Sequence, residues 1–195
     1  MQKKAIVFDV DGVITYSGSQ KDTIIEHVLD AHGLLCLPWV SDILQEGLNR
    51  IIILQEIQKI KDFDFDQVLT DINSSLLQLE NSTMLIQKTY EFLLKNKGKY
   101  EFFTNTSMPK RKLEDIFERL ELTQYFTQFF AYEDGTKKEN IEYIIQVYGY
   151  NPKDILFIDD KQVHIDAVKS TWVHTLLFDA DSVNLEQSVK DIFWK

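Results

Sequence analysis

Short, mainly apolar runs alternate with amphipathic stretches along most of the chain. The runs lie at 5–8, 100–103, 128–132, 155–158 and 173–178, and the third of them is the weaker one. Short runs of successive apolar positions predict strands that are buried on both faces, as in a parallel sheet. We therefore expect these runs to form the strands of one sheet.

Helical patterns separate the apolar runs. Apolar residues recur every three or four positions in 83–97, in 110–120 and again after the capping box Thr136-Lys137-Lys138-Glu139. Gly98 and Gly149 follow the first and the last of these patterns and predict where the helices end. Strands that alternate with helices of this length indicate right-handed crossovers. The predicted fold is therefore α/β, a Rossmann-like parallel sheet with helices on both faces.

The segment 16–81 interrupts this alternation. It contains no strand pattern, and three helical patterns fill it, at 21–32, 41–60 and 64–80. We interpret it as a small all-helical cap inserted after the first strand, which leaves 1–15 and 82–195 as the core. The alternative is that these helices cover one face of the sheet. The run 51–54 is apolar nearly all round, which predicts a bundle seam or, alternatively, a patch facing a substrate or second subunit.

The charge balance argues against some classes of partner. The 195 residues include 21 basic and 31 acidic ones, for a net charge of −10, and 16–81 alone holds 4 basic and 11 acidic residues. So acidic a balance argues against binding to nucleic acid or to an anionic membrane. It is compatible with a small anionic substrate, because a few local donors and a metal ion can reverse the field inside a cleft.

Cysteine usage and the start of the chain bear on localisation. The single cysteine, Cys36, cannot form an intramolecular disulfide, and we expect it to be an apolar packing residue. The first apolar run is too short for a signal-peptide core or a membrane span, and no later segment reaches membrane length without charges. We expect a cytoplasmic protein, either a monomer or a homodimer formed through the helical cap.

Two carboxylates directly follow the first predicted strand, in Val7-Phe8-Asp9-Val10-Asp11-Gly12-Val13. Ligands of α/β sheets bind beyond the carboxyl ends of the strands, and side chains two positions apart point to the same side. Gly12 permits a tight turn at this point. One carboxylate of such a pair can be a nucleophile and the other a general acid. The alternative is a pair of acidic turn residues.

Three further polar pairs occur after later predicted strands, in the order Thr104-Asn105, Lys137-Lys138 and Asp159-Asp160. A hydroxyl and backbone N–H groups can hold phosphoryl oxygens, although Thr and Asn also form ordinary turns. A lysine ammonium in the first turn of a helix is unfavourable beside the positive end of the helix dipole, unless the ammonium and the helix N-terminus face the same anion. The alternative is a solvated surface pair. Adjacent carboxylates need a compensating cation, for which Mg²⁺ is suited; the alternative is an acidic helix start.

With these four elements in this order, the chain resembles the haloacid dehalogenase-like (HAD) hydrolase superfamily over about 1–15 and 82–195. The segment 16–81 matches, in position and helical character, the members with a helical cap after the first motif. The resemblance implies an Mg²⁺-dependent phosphatase that hydrolyses a small-molecule phosphate monoester through an aspartyl-phosphate intermediate. It makes Asp9 the nucleophile and Asp11 the general acid/base.

The same resemblance implies how phosphate and metal are bound. Thr104 and the backbone of Asn105 would bind phosphate, and Lys137 or Lys138 would neutralise it. Asp9, the carbonyl of Asp11 and Asp160 would hold Mg²⁺, and Asp159 would contact the ion through water. The carboxylates repel a phosphate, so the metal and the lysine must offset that charge during in-line transfer.

Two positions depart from the family's pattern. Lys138 stands where the family usually has Pro or a small residue, so the choice between the two lysines stays open, although the spacing to Ile141 favours Lys137. His164 stands four positions after Asp160, where Asn or Asp is common. We expect His164 to be an outward-facing helix residue; the alternative is that it reaches the periphery of the site.

The resemblance leaves other activities open. Dehalogenation is disfavoured, because members with that chemistry need no metal and lack the acid at the position of Asp11. A sugar-phosphate phosphotransferase or mutase is the nearest alternative, since Asp11-Gly12-Val13-Ile14 also resembles mutases that exclude water by closing a cap. A non-catalytic HAD-like binding or scaffold protein is the alternative of another class.

Overall fold

The computed structural model describes residues 4–35, 39–40, 50–81 and 84–194. The chain divides into two compact units, of which one comprises Met1–Thr15 with Leu85–Lys195 and the other comprises Tyr16–Met84. Cys36 and the part of the second predicted cap helix at 41–49 lie outside the described residues. Across the described ranges, no helix is both long enough and apolar enough to cross a membrane.

The helices and strands of the described residues follow the predicted alternation. In chain order they are β1 (Lys4–Phe8), α1 (Ser17–Ala31), α2 (Arg50–Gln58), α3 (Phe65–Asn81), α4 (Gln87–Asn96), β2 (Tyr100–Asn105), α5 (Lys110–Arg119), β3 (Phe126–Phe130), α6 (Lys137–Tyr148), β4 (Ile155–Asp159), α7 (Gln162–Val168), β5 (His174–Leu177) and α8 (Leu185–Phe193). The prediction for β3 was displaced by two residues, because Tyr132–Asp134 forms a 3₁₀ turn instead of continuing the strand.

The five strands form one parallel sheet in the order β3-β2-β1-β4-β5. This α/β architecture confirms the predicted Rossmann-like fold. Phe8 at the end of β1 pairs with Thr104 on one side and with Ile158 on the other. The residues that follow these three in the chain therefore come to one edge of the sheet, and they are all polar: Asp9, Asn105 and Asp159.

Both faces of the sheet are buried, which explains why β1 is apolar without alternation. Ile6 and Phe8 pack on one face with buried side chains of α4, α5 and α8. Ala5 and Val7 point the other way and pack with buried side chains of α6 and α7. An unpaired polar group in the core is costly, and β1 accordingly stays apolar from Ala5 to Phe8, with the polar Asp9 following where the strand ends.

Helix α6 begins and ends as the sequence predicts. The Thr136 hydroxyl accepts a hydrogen bond from the Glu139 N–H at 3.3 Å, and the Glu139 carboxylate accepts one from the Thr136 N–H at 2.8 Å. This capping box fixes Lys137 as the first residue of the helix. Gly149 ends the helix in a left-handed conformation with φ of 70°.

The unit Tyr16–Met84 is helical throughout its described secondary structure, and it has a hydrophobic core of its own. Helices α1, α2 and α3 bury side chains that include Leu29, Leu54 and Ile72. Within the apolar run 51–54, Ile53 and Leu54 are buried, which confirms the predicted seam for that half, whereas Ile51 and Ile52 are exposed by 43% and 37%. Of this run, Ile53 and Leu54 therefore form part of the helical core.

Candidate active site

Asp9 lies directly beyond β1 at the centre of the sheet. Its backbone N–H donates to the carbonyl of Ile158 at 2.8 Å, and the residue is only 5% exposed. A tight turn follows, in which the Gly12 N–H donates to the carbonyl of Thr15 at 2.7 Å. Asp11 lies half-buried on this turn. The two carboxylates of the first motif thus lie at the carboxyl end of the strands, where α/β sheets bind ligands.

A buried lysine reaches this point from helix α6. The Lys137 ammonium lies 2.9 Å from Asp9 Oδ1 and 2.5 Å from Asp159 Oδ2, and the side chain is 8% exposed. Burial opposes the charged form, but the two carboxylates outweigh it and raise the pKa of Lys137 above its ordinary value. Lys137 is therefore a buried ammonium that bridges two carboxylates.

The neighbouring lysine lies elsewhere. The Lys138 side chain is 45% exposed, and its ammonium lies 3.6 Å from Glu142 one turn along the same helix. Successive positions on a helix point about 100° apart, so only one of the two lysines can face the sheet edge. The structure brings Lys137 to Asp9 and leaves Lys138 on the helix surface.

Asp159 ends β4 and is fully buried. Besides Lys137, it accepts a hydrogen bond from the Lys161 N–H at 2.9 Å on Oδ1. The Nδ1 atom of His164 lies 3.0 Å from Oδ1 and 3.2 Å from Oδ2. Burial alone would raise the pKa of Asp159, but His164 and Lys137 lower it below its ordinary value. Asp159 is thus an ionised carboxylate held by three groups.

The expectation that His164 faces outward was wrong. His164 occupies the first turn of α7, which begins at Gln162, and side chains on a helix tilt toward its N-terminus. The imidazole therefore folds back onto Asp159 at the end of the preceding strand. The ring is 18% exposed, so it lies at the boundary between the site and its surroundings.

The second carboxylate of the doublet, Asp160, packs against the turn after β1. A Cβ atom added to Gly12 would lie 2.1 Å from Asp160 Oδ2, and Gly12 has a φ of +81°. Only glycine combines that backbone conformation with so close an approach. Burial, followed by repulsion from Asp9 and Asp159, raises the pKa of Asp160 to about 7. Lys161 and Lys137 oppose this rise without cancelling it, so the Asp160 carboxyl lies in a net negative environment.

The site as a whole carries an excess of negative charge. Burial raises the pKa of Asp9; Lys137 opposes this rise, while Asp159 and Asp11 add to it. Possible ligand atoms of Asp9, Asp159 and His164 lie within 4.8 Å of one another, close enough to hold a metal ion. One ammonium does not neutralise the carboxylates at this edge, so the site favours an added cation.

Thr104 and Asn105 make hydrogen bonds within the protein. The Thr104 hydroxyl accepts from the Phe130 N–H at 3.1 Å and donates to the Phe130 carbonyl at 3.4 Å, so it would have to exchange the donated bond to hold a phosphoryl oxygen. The Asn105 amide donates to the carbonyl of Lys137 at 2.8 Å. Asn105 therefore ties the start of α6 to the end of β2, and in doing so it helps to place Lys137.

Asn140 is a site-supporting residue that the sequence reasoning missed. It is 2% exposed, and its amide donates to Asn105 Oδ1 at 3.0 Å. The two amides together orient the first turn of α6. The spacing offered a clue, since Asn140 follows Lys137 by three positions and such positions share one helix face. Thr106, also buried, accepts a bond from the Met108 N–H at 3.2 Å and shapes the loop after β2.

Solved structures that share this fold include proteins described as phosphatases and one described as a mutase. A protein from Clostridium difficile assigned as a phosphatase has a TM-score of 0.67 at 19% identity, over 99% of this chain and 99% of that chain. A predicted phosphoglycolate phosphatase from Haemophilus somnus has a TM-score of 0.67 at 18% identity, over 92% and 90%. A protein from Thermotoga maritima assigned as a β-phosphoglucomutase has a TM-score of 0.64 at 16% identity, over 97% and 96%. At these identities the likeness is one of fold.

The sequence itself gives the family. No curated protein matches the chain. The profile of the haloacid dehalogenase-like hydrolases, however, matches residues 3–170. That range begins before Asp9 and ends after Asp160, so it includes all four motifs and confirms the resemblance drawn from them. The chain belongs to the haloacid dehalogenase-like hydrolase family.

Proposed function

We propose that this hydrolase is an Mg²⁺-dependent phosphatase that cleaves a small-molecule phosphate monoester through a phosphorylated Asp9. The observation that carries the proposal is the buried Lys137 ammonium, which lies 2.9 Å from Asp9 Oδ1. A carboxylate and a phosphate dianion repel each other, so a nucleophilic carboxylate needs a fixed positive charge at the point of attack. Lys137 supplies that charge without a cost of reorganisation during the reaction.

The chemistry takes two displacements at phosphorus. An oxygen of Asp9 bonds to phosphorus as the ester P–O bond breaks, and Asp11 gives its proton to the leaving alcohol oxygen. Asp11 then takes a proton from water as the water oxygen bonds to phosphorus and the Asp9–phosphorus bond breaks. The products are the alcohol, inorganic phosphate and the original Asp9 carboxylate. The half-buried position of Asp11, on the turn two residues after Asp9, suits a group that must exchange protons.

The phosphate would be bound between α6 and the loop after β2. Lys137 would pair with the transferring phosphoryl oxygens while keeping its contact with Asp9. Thr104 and the backbone of Asn105 would supply further donors, with the Thr104 hydroxyl exchanging the bond that it donates to the Phe130 carbonyl. We do not assign Lys138 a role at the phosphate, because it pairs with Glu142 on the helix surface.

Asp9, the carbonyl of Asp11 and Asp160 would hold Mg²⁺. The fit is supported by the space that Gly12 leaves for the Asp160 carboxylate, and by a donor set made of oxygen atoms, which Mg²⁺ prefers. When bound, the ion would screen the carboxylates from the phosphate and stabilise the charge that develops during transfer. Asp159 already accepts hydrogen bonds from three groups, so it would orient those groups and contact the metal only through water.

The helical unit Tyr16–Met84 would serve as the cap that selects the substrate. Its place in the chain, immediately after the first motif, and its separate hydrophobic core support this role.

We also propose that the protein is cytoplasmic, because its single cysteine leaves no intramolecular disulfide to maintain. A monomer, or a homodimer formed through the cap, would suit a small phosphorylated substrate.

Metal removal tests the proposal. Purified protein with Mg²⁺ will release inorganic phosphate from a generic aryl phosphate, and excess EDTA will reduce the rate by at least about 100-fold, since Lewis-acid stabilisation contributes several kcal/mol. Restoring Mg²⁺ should restore the rate. Phosphate moved between positions of a sugar phosphate, with none released, would instead indicate a mutase. Neither activity on a broad panel of phosphate esters would refute the enzymatic proposal and favour a binding protein.

Substituting Gly12 tests the metal site itself. In Gly12→Ala the new Cβ would displace the Asp160 carboxylate, so we expect Mg²⁺ affinity, measured by titration calorimetry, to fall at least about tenfold. Gly98→Ala is the matched control, because Gly98 has a similar φ of +84° and open space around it. Both variants should lose about 1–2 kcal/mol of stability from the positive φ. Equal Mg²⁺ affinities in the two variants would contradict the assignment of Asp160 as a metal ligand.

A further inference from the structure

His164 has contacts that the proposed chemistry does not use. Its Nδ1 atom lies between the two oxygens of Asp159, at 3.0 Å and 3.2 Å, and the ring is mostly buried. The other two groups that donate to Asp159 are the Lys137 ammonium and the Lys161 N–H. Of these three donors, only His164 belongs to helix α7.

The direction of this hydrogen bond follows from the state of Asp159. A buried carboxyl group that faces an ammonium at 2.5 Å is ionised, and an ionised carboxylate can only accept hydrogen bonds. Nδ1 of His164 must therefore carry a proton and donate it.

We propose that His164 is a positioning residue, whose Nδ1–H holds the Asp159 carboxylate so that Asp159 holds the Lys137 ammonium beside Asp9. The expected effect on the reaction rate rests on the proposed phosphatase function, whereas the hydrogen bonds exist independently of it. Asp159 receives the Lys161 N–H on Oδ1 and Lys137 on Oδ2. The imidazole contacts both oxygens, so it fixes the rotation of the carboxylate plane and with it the direction of Oδ2.

Loss of that restraint would act on the reaction through Lys137. If the carboxylate of Asp159 turns, the ammonium can shift toward it and away from Asp9 Oδ1. Displacements of about 1 Å in catalytic groups cost up to about 100-fold in rate, and outer partners of active-site ligands typically contribute 10–100-fold. The effect should fall on kcat, because Lys137 stabilises charge during phosphoryl transfer, and it should spare KM.

Enzyme kinetics on three substitutions test this assignment. His164→Ala should lower kcat by about 10–100-fold with KM unchanged, while His164→Asn should recover most of the rate, because the amide nitrogen of Asn occupies the place of Nδ1. His164→Gln, whose nitrogen falls at the place of Nε2, should not recover it. Gln162→Ala, an exposed change on the same helix, is the control and should behave as wild type. An Asn variant as slow as the Ala variant would overturn the proposal.

Metal titration separates positioning from ligation. Nitrogen from His164 also lies within reach of a metal held by Asp9 and Asp159. The positioning role predicts that His164→Ala binds Mg²⁺ alone as wild type does, with a dissociation constant unchanged within about threefold. A weakening of tenfold or more, with kcat restored at saturating Mg²⁺, would make His164 a metal ligand and overturn the proposal.

The imidazole can also be observed without any substrate. Long-range ¹H–¹⁵N NMR spectra of the wild-type protein should show Nδ1 of His164 protonated, with the resonance identified by its loss in His164→Ala among the four histidines. Asp159→Asn should move that resonance more than Gln162→Ala does. An unprotonated Nδ1 would overturn the proposal even if the protein is an active phosphatase. A protonated, Asp159-dependent Nδ1 in a protein without phosphatase activity would instead support the contact and refute only the proposed function.

Discussion

Replacing Asp9 with Asn is expected to lower kcat for phosphate release by at least about 10⁴-fold, the scale of loss seen when a nucleophile is removed from a covalent mechanism. The amide keeps the shape of the side chain but is far less nucleophilic than the carboxylate. The measurement is the rate of phosphate release with saturating Mg²⁺. A mass increase corresponding to one phosphoryl group, found on quenched wild-type enzyme, should be absent from Asp9→Asn.

The loss of activity in Asp9→Asn should not come from unfolding. Burial and the nearby charges of Asp159 and Asp11 raise the pKa of Asp9 in the folded protein, even though Lys137 opposes them. A carboxyl with a raised pKa contributes stability below its unfolded pKa and loses that contribution as the pH rises. The neutral amide avoids this loss, so metal-free Asp9→Asn should be at least as stable as wild type at pH 7.

Asp115→Asn provides the control for Asp9→Asn. Asp115 is exposed on α5, so the same chemical change there should leave both rate and stability near wild-type values. If Asp9→Asn retains more than a few per cent of the wild-type rate, Asp9 is not the nucleophile, and a direct attack by water would be the better explanation.

The fold could be predicted because its determinants are local. The strand β1 is buried on both faces, so every position from Ala5 to Phe8 must be apolar, and the chain turns polar at Asp9 where the strand leaves the core. The start and end of α6 were also predictable, since the capping box and Gly149 act through neighbouring residues. β3 was displaced in the prediction because Ala131 and Tyr132 are as apolar as the strand itself, and only the 3₁₀ turn distinguishes them.

The site was harder to predict, because its geometry depends on how separate elements meet. Sequence alone gave two adjacent lysines, and the rotation of α6 against the sheet decides that Lys137 reaches Asp9. The inward turn of His164 depends on where α7 begins, and the role of Asn140 depends on its distance from Asn105. The chemistry proposed for the site rests on residue types, whereas the contacts that orient those residues required the three-dimensional arrangement.

Removing the Lys137 ammonium should damage both activity and stability, whereas the same change one position later should do neither. In Lys137→Met, Asp9 and Asp159 would face each other with their shared counter-charge gone, which should cost about 3–5 kcal/mol of unfolding free energy. Phosphate release should fall by at least about 100–1,000-fold, as when a preorganised donor is removed. Lys138→Met, at an exposed site, should change stability by less than about 1 kcal/mol and leave the rate unchanged.

A double substitution keeps this prediction testable if Lys137→Met folds poorly. Lys137→Met combined with Asp159→Asn removes one of the two uncompensated charges, so it should be more stable than Lys137→Met while remaining inactive. Such a result would show that the stability loss is electrostatic and that the catalytic loss belongs to the ammonium beside Asp9. If Lys138→Met lost activity as severely as Lys137→Met, the essential positive charge would lie on the surface of α6, and the buried pair with Asp9 would be structural only.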